Sequence, residues 1–342
     1  MPHWVSTAPR AAAALCAALV LGVTARAGEP HLPLNATRVP LAETVDVGDR
    51  IERIRFLGML LIPATTVNGL RFSQLSDLAW DDDAGLLYAI SDKGALFHLR
   101  PLFDGNTLVD IRLVRALPLR ELHSDQPLRG RRADTEGMDI LHGRNRRPQD
   151  TELIISFERL PRIWRYRPDG RALAELPLPA PLDDVRAYDN GNRMLEAMCI
   201  DDSFGPLTMP EAPLRKEQRG HNRIFSLGGK SWLYPVENSN RVVGMACLGD
   251  GDVIVLERDY GRLLWRASTA LKRVRLSAAN AGAVVTPERL VTLDTTQGFQ
   301  IDNFEGITPH HGNRFFLISD NNDLFVQRTL LLYIELLRDP VP

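Results

Sequence analysis

A triad of an acid, a small residue and an apolar residue recurs along the chain. It reads Glu136-Gly137-Met138, Glu196-Ala197-Met198 and Glu305-Gly306-Ile307. Carboxylates gathered at one place repel each other, so they stay ionised only where a cation or a basic side chain compensates them. Such oxygen ligands suit Ca²⁺ or Mg²⁺ better than zinc. We predict that the glutamates Glu136, Glu196 and Glu305 hold one of these cations and polarise water as catalytic residues.

A second set of acids ends the apolar segments that follow the triads. These acids, predicted as further metal ligands, are Asp92, Glu158, Glu257 and Asp320. The bases that directly follow three of them are Lys93, Arg159 and Arg258. A metal ion and a neighbouring base can share the negative charge of a phosphate ester, so these bases are predicted to bind the substrate anion. The alternative is structural: carboxylates that cap strands or pair with arginines, and salt bridges at strand ends.

The triads belong to a longer repeat. Two more segments keep the pattern with Ser76 and Val243 at the acid position. The apolar members of the five triads, 47 to 62 residues apart, are Leu78, Met138, Met198, Met245 and Ile307. This period matches a four-stranded propeller blade with its loops. Short apolar and β-branched runs between Pro, Gly and Asp turns fill the rest of the period, which favours an all-β fold.

We therefore predict an all-β protein built as a β-propeller. In a propeller the inner strands line a central channel, so equivalent positions of successive blades form rings around it. The C-terminal run at 327–337 is predicted to pair with the strand around 55–62 and so close the ring. Five repeats plus a blade built from both termini give six blades. Seven blades and a pair of β-sandwiches are the alternatives.

The triads, together with segments that end in Ser91-Asp92 and Ser319-Asp320, resemble the phytase-like family, whose members are described as having esterase-like activity. The resemblance covers nearly all of residues 50–337. It implies a β-propeller and an exported protein. The chain has no close match to the metal-binding signatures of calcium-dependent propeller phytases, so phytate is not the predicted substrate.

Composition excludes several classes of partner. The formal net charge is −2, from 41 Lys plus Arg against 43 Asp plus Glu, so no overall field favours nucleic acid. The chain has no P-loop or dinucleotide fingerprint, and no organic cofactor is expected. It also lacks a Gly-x-Ser-x-Gly nucleophile elbow, which disfavours a Ser-His-Asp hydrolase. We expect a monomer that accepts a small anionic ester.

The first residues are typical of a secretory signal. An apolar run at 11–23 precedes Ala25-Arg26-Ala27, a small-x-small cleavage site, so residues 1–27 are predicted as a signal peptide. Residues 28–50 are predicted as an extended lead-in and 51–338 as the propeller domain. The mature protein would then be periplasmic or secreted, without a later membrane span. The alternative is an uncleaved N-terminal anchor.

Four smaller expectations concern local structure. Cys199 and Cys247 are one position out of register in their repeats, so they are predicted to be free and buried, with a bridge between neighbouring repeats as the alternative. Residues 205–222 are predicted as an excursion, either a lid or a disordered insertion. Residues 267–274 could form a short helix. His310 and His311 are predicted to lie in a solvated turn away from the channel mouth.

Two functions are compatible with these residues. The first is a metal-dependent hydrolase of phosphate or carboxylic esters, with its site at the mouth of the channel. The second is a non-catalytic propeller that binds a ligand or a protein over one face. Ser76 and Val243 interrupt the acid ring, which motivates the second function.

Overall fold

The computed structural model describes residues 1, 3, 32–218, 220–237, 240–260 and 267–337. In this part of the chain the regular structure consists of strands and three short 3₁₀ helices, at Gly130–Arg132, Val185–Ala187 and Thr295–Gln297. The predicted all-β fold is confirmed. The predicted signal peptide lies almost wholly outside the described residues, and the domain boundaries stay predictions.

The strands are numbered in chain order. Those that precede the first repeat are β1 (Leu32–Pro33), β2 (Thr37–Arg38), β3 (Arg50–Ile51), β4 (Ile54–Ile62), β5 (Thr65–Val67) and β6 (Leu70–Phe72). The strands of blade 1 are β7 (Leu75–Asp81), β8 (Leu86–Ser91), β9 (Ala95–Asp104) and β10 (Thr107–Pro118). The strands of blade 2 are β11 (Thr135–Leu141), β12 (Glu152–Phe157), β13 (Arg162–Tyr166) and β14 (Ala172–Leu176).

The remaining blades follow the same plan. The strands of blade 3 are β15 (Leu195–Asp201), β16 (Gly205–Pro210), β17 (His221–Ser226) and β18 (Ser231–Pro235). The strands of blade 4 are β19 (Arg241–Gly249), β20 (Asp252–Tyr260), β21 (Ala267–Arg275) and β22 (Glu288–Asp294). The strands of blade 5 are β23 (Asn303–Pro309), β24 (Arg314–Asp320), β25 (Thr329–Leu336) and β4.

The blades form a closed ring. The inner strands β7, β11, β15, β19 and β23 each contact the next, and β23 contacts β7. As predicted, the C-terminal strand β25 pairs with β4 in antiparallel register, with Leu331 opposite Leu60. The β-propeller is thus confirmed, whereas the described residues form five blades and not the six expected. The fifth repeat supplies only the hairpin β23–β24, so the terminal strands complete its sheet and do not make a further one.

Apolar side chains fill the spaces between neighbouring blades. Leu60, Leu78, Phe97 and Phe316 belong to one buried cluster that joins blades 1 and 5. Each fully buried Leu or Phe of this kind contributes about 1.5–3 kcal/mol of hydrophobic stabilisation. These contacts hold the inner strands at fixed positions around the channel.

The predicted lead-in contributes short edge strands. β1 pairs with β10 at the outer edge of blade 1, and β2 pairs with β4 at the outer edge of blade 5. The segment therefore covers the exposed edges of the two blades that meet at the closure, which leaves fewer unpaired backbone groups there.

Two local predictions are corrected. Residues 205–222 are not an excursion, because β16 and the start of β17 lie within them and only the segment between these strands is a loop. The prolines that suggested an insertion stand at the ends of β16, whose ladder with β17 involves Leu207 and Thr208 alone. Residues 267–274 form most of β21, which pairs with β20 and β22 on its two sides. Its Ala and Leu residues favour a helix by composition, but pairing with two neighbouring strands stabilises the extended conformation.

Cys199 and Cys247 form a disulfide, so the prediction of two free cysteines is wrong. The cysteines lie in β15 and β19, which belong to different sheets that pack against each other. The alternation of side chains within one strand does not carry over to the next sheet. β19 also has a register shift between Cys247 and Gly249, which changes the direction of its side chains locally.

Candidate functional site

The first ring of side chains stands on β-bulges. Every inner strand shifts its register against its partner near its start, and the shift falls at the acid position of the triad. The residues at the five bulges are Ser76, Glu136, Glu196, Val243 and Glu305. A bulge lets two residues oppose one, so the extra side chain is redirected from the ladder. This local irregularity gathers the three predicted glutamates around the end of the channel.

The small residue of the triad allows close contact between blades. A Cβ on Gly137 would lie 2.8 Å from the backbone oxygen of Glu196, and one on Gly244 would lie 2.5 Å from that of Glu305. Neighbouring inner strands therefore approach one another through glycine. In blade 1 the same position holds Asp77, whose buried carboxylate accepts hydrogen bonds from Met138 N (2.7 Å) and Ile307 N (3.1 Å). These two hydrogen bonds link blade 1 to both of its neighbours. Burial raises the pKa of the Asp77 carboxyl group.

On each second strand, the second ring comes directly after the residue that pairs with the one before the acid position. Alignment by register places Asp92, Glu158, Glu211, Arg258 and Asp320 at equivalent positions. Glu211 was not predicted, because β16 was interpreted as an insertion. The alternation of Leu207 and Met209 before Pro210 is the signal that could have found it. Arg258, predicted as a neighbour of the ring, is itself the member from blade 4.

Glu257 does not lie at the channel mouth. Glu257 pairs with Val242, the residue before the acid position of its blade. In blades 1 and 5 the equivalent residues are Ser91 and Ser319. The ring position of blade 4 is therefore held by the next residue, Arg258. The Glu257 carboxylate is fully buried and accepts a hydrogen bond from Tyr234 Oη at 2.5 Å. It also lies 3.0 Å from Lys272 Nζ. These partners satisfy Glu257 within blade 4.

The two rings enclose a polar cavity of about 210 Å³. Its acidic lining residues are Asp92, Asp134, Glu136, Glu158, Glu196, Glu211, Glu305 and Asp320. Asp134, just before β11, was missed because no other repeat has an acid there. Two groups of three have carboxylate oxygens within 4.8 Å of one another: Asp134 with Glu136 and Glu158, and Glu158 with Glu196 and Glu211. Glu158 belongs to both groups, so the structure has two adjacent clusters that could bind a metal ion.

The acids of the cavity differ in their partners. Asp92 is held by Gln74 Nε2 at 3.0 Å, while its Oδ1 is buried without a hydrogen bond. Glu305 is engaged by Arg258 and by Asn303 Nδ2. Among the described residues, Glu136 and Glu196 have no hydrogen bond or ion pair from the protein. Their carboxylates are the ones available to a ligand.

Burial and mutual repulsion raise the pKa of these carboxyl groups. For Glu136 and Glu196 loss of solvent is the main cause, and neighbouring glutamates add to it. Loss of solvent, with Asp134 and Glu211 nearby, raises the pKa of Glu158 to about 8. Burial together with Glu305 raises the pKa of Asp320 to about 8. A bound divalent cation would reverse this effect, because it favours the ionised form.

The three predicted anion-binding bases are placed differently. Arg258 Nη2 lies 3.2 Å from Glu211 Oε1, and its Nη1 donates to Glu305 inside the cavity. Arg159 lines the rim, with Nε 2.5 Å from Asp134 Oδ2. Lys93 is largely exposed and pairs with Asp92 at 3.1 Å, outside the lining of the cavity. The structure thus places two of the three bases in the lining of the cavity.

The donor set fits a hard divalent cation. The available groups are carboxylate oxygens, which Ca²⁺ and Mg²⁺ prefer. Several of these carboxylates lie together without enough cations beside them, and two have no protein partner. Lone carboxylates in such a place are costly unless they take up a proton or a cation. The residues present therefore suit a metal ion.

Sequence comparison assigns the family. A family model described as "Phytase-like: Esterase-like activity of phytase" matches residues 70–323, which include all the rings described above. The chain belongs to the phytase-like family. No curated protein sequence matches this phytase-like chain. A solved structure titled "Structure of U3-55K" is similar to it with a TM-score of 0.39 and 8% sequence identity, over 83% of this chain and 98% of that one.

Two further observations concern the setting of this phytase-like protein. Within the described ranges there is no helix with the length and apolar character needed to cross a membrane. The disulfide Cys199–Cys247 is consistent with an oxidising compartment, where such bonds persist.

Proposed function

We propose that this phytase-like propeller is a metal-dependent hydrolase of phosphate or carboxylic esters, with its site in the acidic cavity. The observation that carries the proposal is the pair of adjacent carboxylate clusters that share Glu158. Either group, Asp134 with Glu136 and Glu158 or Glu158 with Glu196 and Glu211, would hold Ca²⁺ or Mg²⁺. The bound cation supplies Lewis-acid polarisation of the ester.

The remaining residues of the cavity would orient the substrate. Arg258 is fixed between Glu211 and Glu305, so its guanidinium is positioned before a substrate arrives. Together with Arg159 at the rim, it would attract the anionic group of an ester and stabilise charge that develops on its oxygens. Lys93 stands farther out and would assist only the approach of the anion.

Asp320 is suited to move a proton. It lines the cavity but belongs to neither cluster of metal ligands, and burial, the main cause of its raised pKa, remains when a cation is bound. A carboxyl group with such a pKa can accept a proton from water or donate one to a leaving oxygen. We assign this proton transfer to the Asp320 carboxyl group.

Hydrolysis assays test the proposal directly. Purified protein should hydrolyse p-nitrophenyl phosphate or p-nitrophenyl butyrate with Ca²⁺ or Mg²⁺, and chelator should abolish the reaction. Glu196→Gln should lose most of this activity, whereas Glu335→Gln, a change at a half-exposed residue that pairs with Arg55, should keep it. Absence of turnover with both substrates and both metals would favour the alternative, a non-catalytic propeller that binds a ligand or a partner.

We also propose that the protein is exported to the periplasm or beyond the cell. The signal-like first residues and the disulfide support this location. Mass spectrometry of protein recovered from the periplasm or the medium should find an N-terminus at Gly28. An intact N-terminus on membrane-bound protein would instead indicate an uncleaved anchor.

A further inference from the structure

A second cavity lies at the other end of the propeller. Its volume is about 430 Å³, and it is formed by the turns and strand ends of blades 1 and 5. The inner strand β23 begins near Glu305 in the acidic cavity and ends just before His310, which lines this second one. The two cavities have no lining residue in common. The volume is in the range of small-molecule pockets, which is about 300–1,000 Å³.

Aromatic rings form one wall of this cavity. The Phe103 ring stacks on His310, with centroids 5.5 Å apart and planes 10° from parallel, and Trp80 meets His310 edge to face at 4.4 Å. His310 is 5% exposed, so the prediction of a solvated turn is wrong for it. Its Nδ1 lies 2.7 Å from Tyr333 Oη, and burial lowers the pKa of His310 to about 3. The imidazole is neutral at physiological pH, and this wall carries no charge.

Two arginines supply a positive charge that no carboxylate neutralises. Neither Arg100 nor Arg314 has an ion pair in the part of the chain that the structure describes, and Arg100 Nε is buried without a hydrogen bond. Arg314 contacts Tyr333 Oη. Glu335 stands opposite Arg314 in the ladder, but its carboxylate pairs with Arg55 at 3.2 Å.

The surroundings of Arg100 add to this positive charge. Arg100 stands directly opposite Arg112 in the ladder of β9 and β10, and like charges at such positions repel. Asp82 does not neutralise the arginines, because its carboxylate lies 3.3 Å from His311 Nδ1 and accepts a hydrogen bond from Trp80 Nε1 at 3.3 Å. Packing of the seam between blades 1 and 5 explains the aromatic rings, but it does not require unpaired arginines beside them.

We propose that this cavity is a binding site for a small aromatic anion. The aromatic part of the ligand would lie against Phe103 and Trp80, and its carboxylate or phosphonate group would meet Arg100 and Arg314. Arginine binds such planar or tetrahedral anions through paired N–H groups, and aromatic rings provide flat contact area. The site does not depend on the hydrolase proposed above, because it lies at the other end of the propeller.

Calorimetric titration with two hydrolysis-resistant probes tests this site. Phenylacetate and benzylphosphonate carry the two kinds of anionic group, and both should bind at least tenfold more tightly than uncharged 2-phenylethanol. Cyclohexylacetate, which keeps the charge without the ring, should bind several-fold more weakly than phenylacetate. Titrations in chelator, repeated with Glu136→Gln, should give the same affinities, since the acidic cavity takes no part.

Substitution of the arginines provides the decisive comparison. Arg100→Gln and Arg314→Gln should each weaken phenylacetate binding at least tenfold. Arg131→Gln, which removes the same charge from an exposed residue outside the cavity, should leave it unchanged. Two controls show that weaker binding does not result from unfolding. Arg100→Lys keeps the positive charge, and melting curves of all variants report whether each is folded. Undetectable binding of both anions, or equal binding by Arg100→Gln, Arg314→Gln and the wild type, would overturn the proposal.

Discussion

Arg258 of blade 4 donates a hydrogen bond to Glu305 of blade 5 and lies 3.2 Å from Glu211 of blade 3. The guanidinium occupies the second-ring position at which the other four blades have a carboxylate. A fixed cation there neutralises part of the acidic cavity and competes with a metal ion for the same oxygens. The carboxylates of Glu136 and Glu196 form no hydrogen bond or ion pair with it and are left for a ligand.

Replacement of this arginine should separate stability from metal affinity. In chelator, Arg258→Met leaves buried Glu305 without an ion-pair partner and Glu211 with Arg193 alone, 3.8 Å away, and the loss of a buried ion-pair partner costs about 3 kcal/mol or more of unfolding free energy. In calcium, affinity should rise by about tenfold, because the competing charge is gone. Denaturant unfolding and calorimetry measure the two effects, with Arg38→Met, at an exposed residue of β2, as the control. Weaker calcium binding by Arg258→Met would show that Arg258 organises the site and does not compete with the ion.

Glu196 and Glu305 should respond differently to neutralisation. Glu196→Gln resembles the protonated form that burial and repulsion favour in chelator, so its melting temperature there should equal or exceed that of the wild type. Calcium should then stabilise this variant less than the wild type, since ligand binding stabilises the native state by mass action. Glu305→Gln breaks a contact with Arg258 and should be less stable in both conditions. Destabilisation of Glu196→Gln in chelator would contradict a role as a free ligand.

The apo protein should become less stable as pH rises. Native Glu158 and Asp320 have pKa values of about 8, well above their ordinary values in the unfolded chain. The native state thus binds protons more tightly, so this contribution to unfolding free energy is largest below about pH 4 and is lost as pH rises to 8. Melting in chelator from pH 5 to 8 checks the slope, which Glu158→Gln combined with Asp320→Asn should flatten. Equal slopes for the two proteins would refute this assignment.

The sequence predicts the elements that repeat. The triads and the closing strand at the C-terminus follow from side-chain patterns, and they are sufficient for a propeller and for the positions of Glu136, Glu196 and Glu305. The number of blades cannot be read from the sequence. The strands that complete blade 5 lie at the two ends of the chain, and there they suggest a blade of their own.

The second ring is only partly predictable for a different reason. In blade 4 an apolar run is followed by Glu257 and Arg258, and the sequence does not indicate which of the two side chains lines the cavity. The bulge at Val243 determines that it is Arg258. Glu211 is hidden by the prolines at both ends of its strand. The pairing of Cys199 with Cys247 depends on how two sheets pack, which a pattern within one strand does not encode.

Loss of the disulfide should lower stability without changing the fold. The bond joins residues 48 positions apart, and the chain-entropy estimate for a loop of this length is about 4 kcal/mol. Cys199→Ala combined with Cys247→Ala should lose most of that unfolding free energy while calcium binding persists. Wild-type protein under reducing conditions serves as the matched comparison. A double variant as stable as the oxidised wild type would show that packing between blades 3 and 4 suffices.

The joining of β4 with β25 affects the order in which the chain can fold during synthesis. β4 is almost entirely buried in the finished protein, yet β25, the partner on its inner side, is the last strand of the described chain. The early strands β2 and β3 can pair with one edge of β4, but the edge that faces β25 must remain unpaired while the hairpins of blades 1 to 4 can already form. A nascent chain of this kind offers chaperones a binding segment that disappears only at chain completion. Premature termination before residue 329 would leave that segment exposed and liable to aggregate.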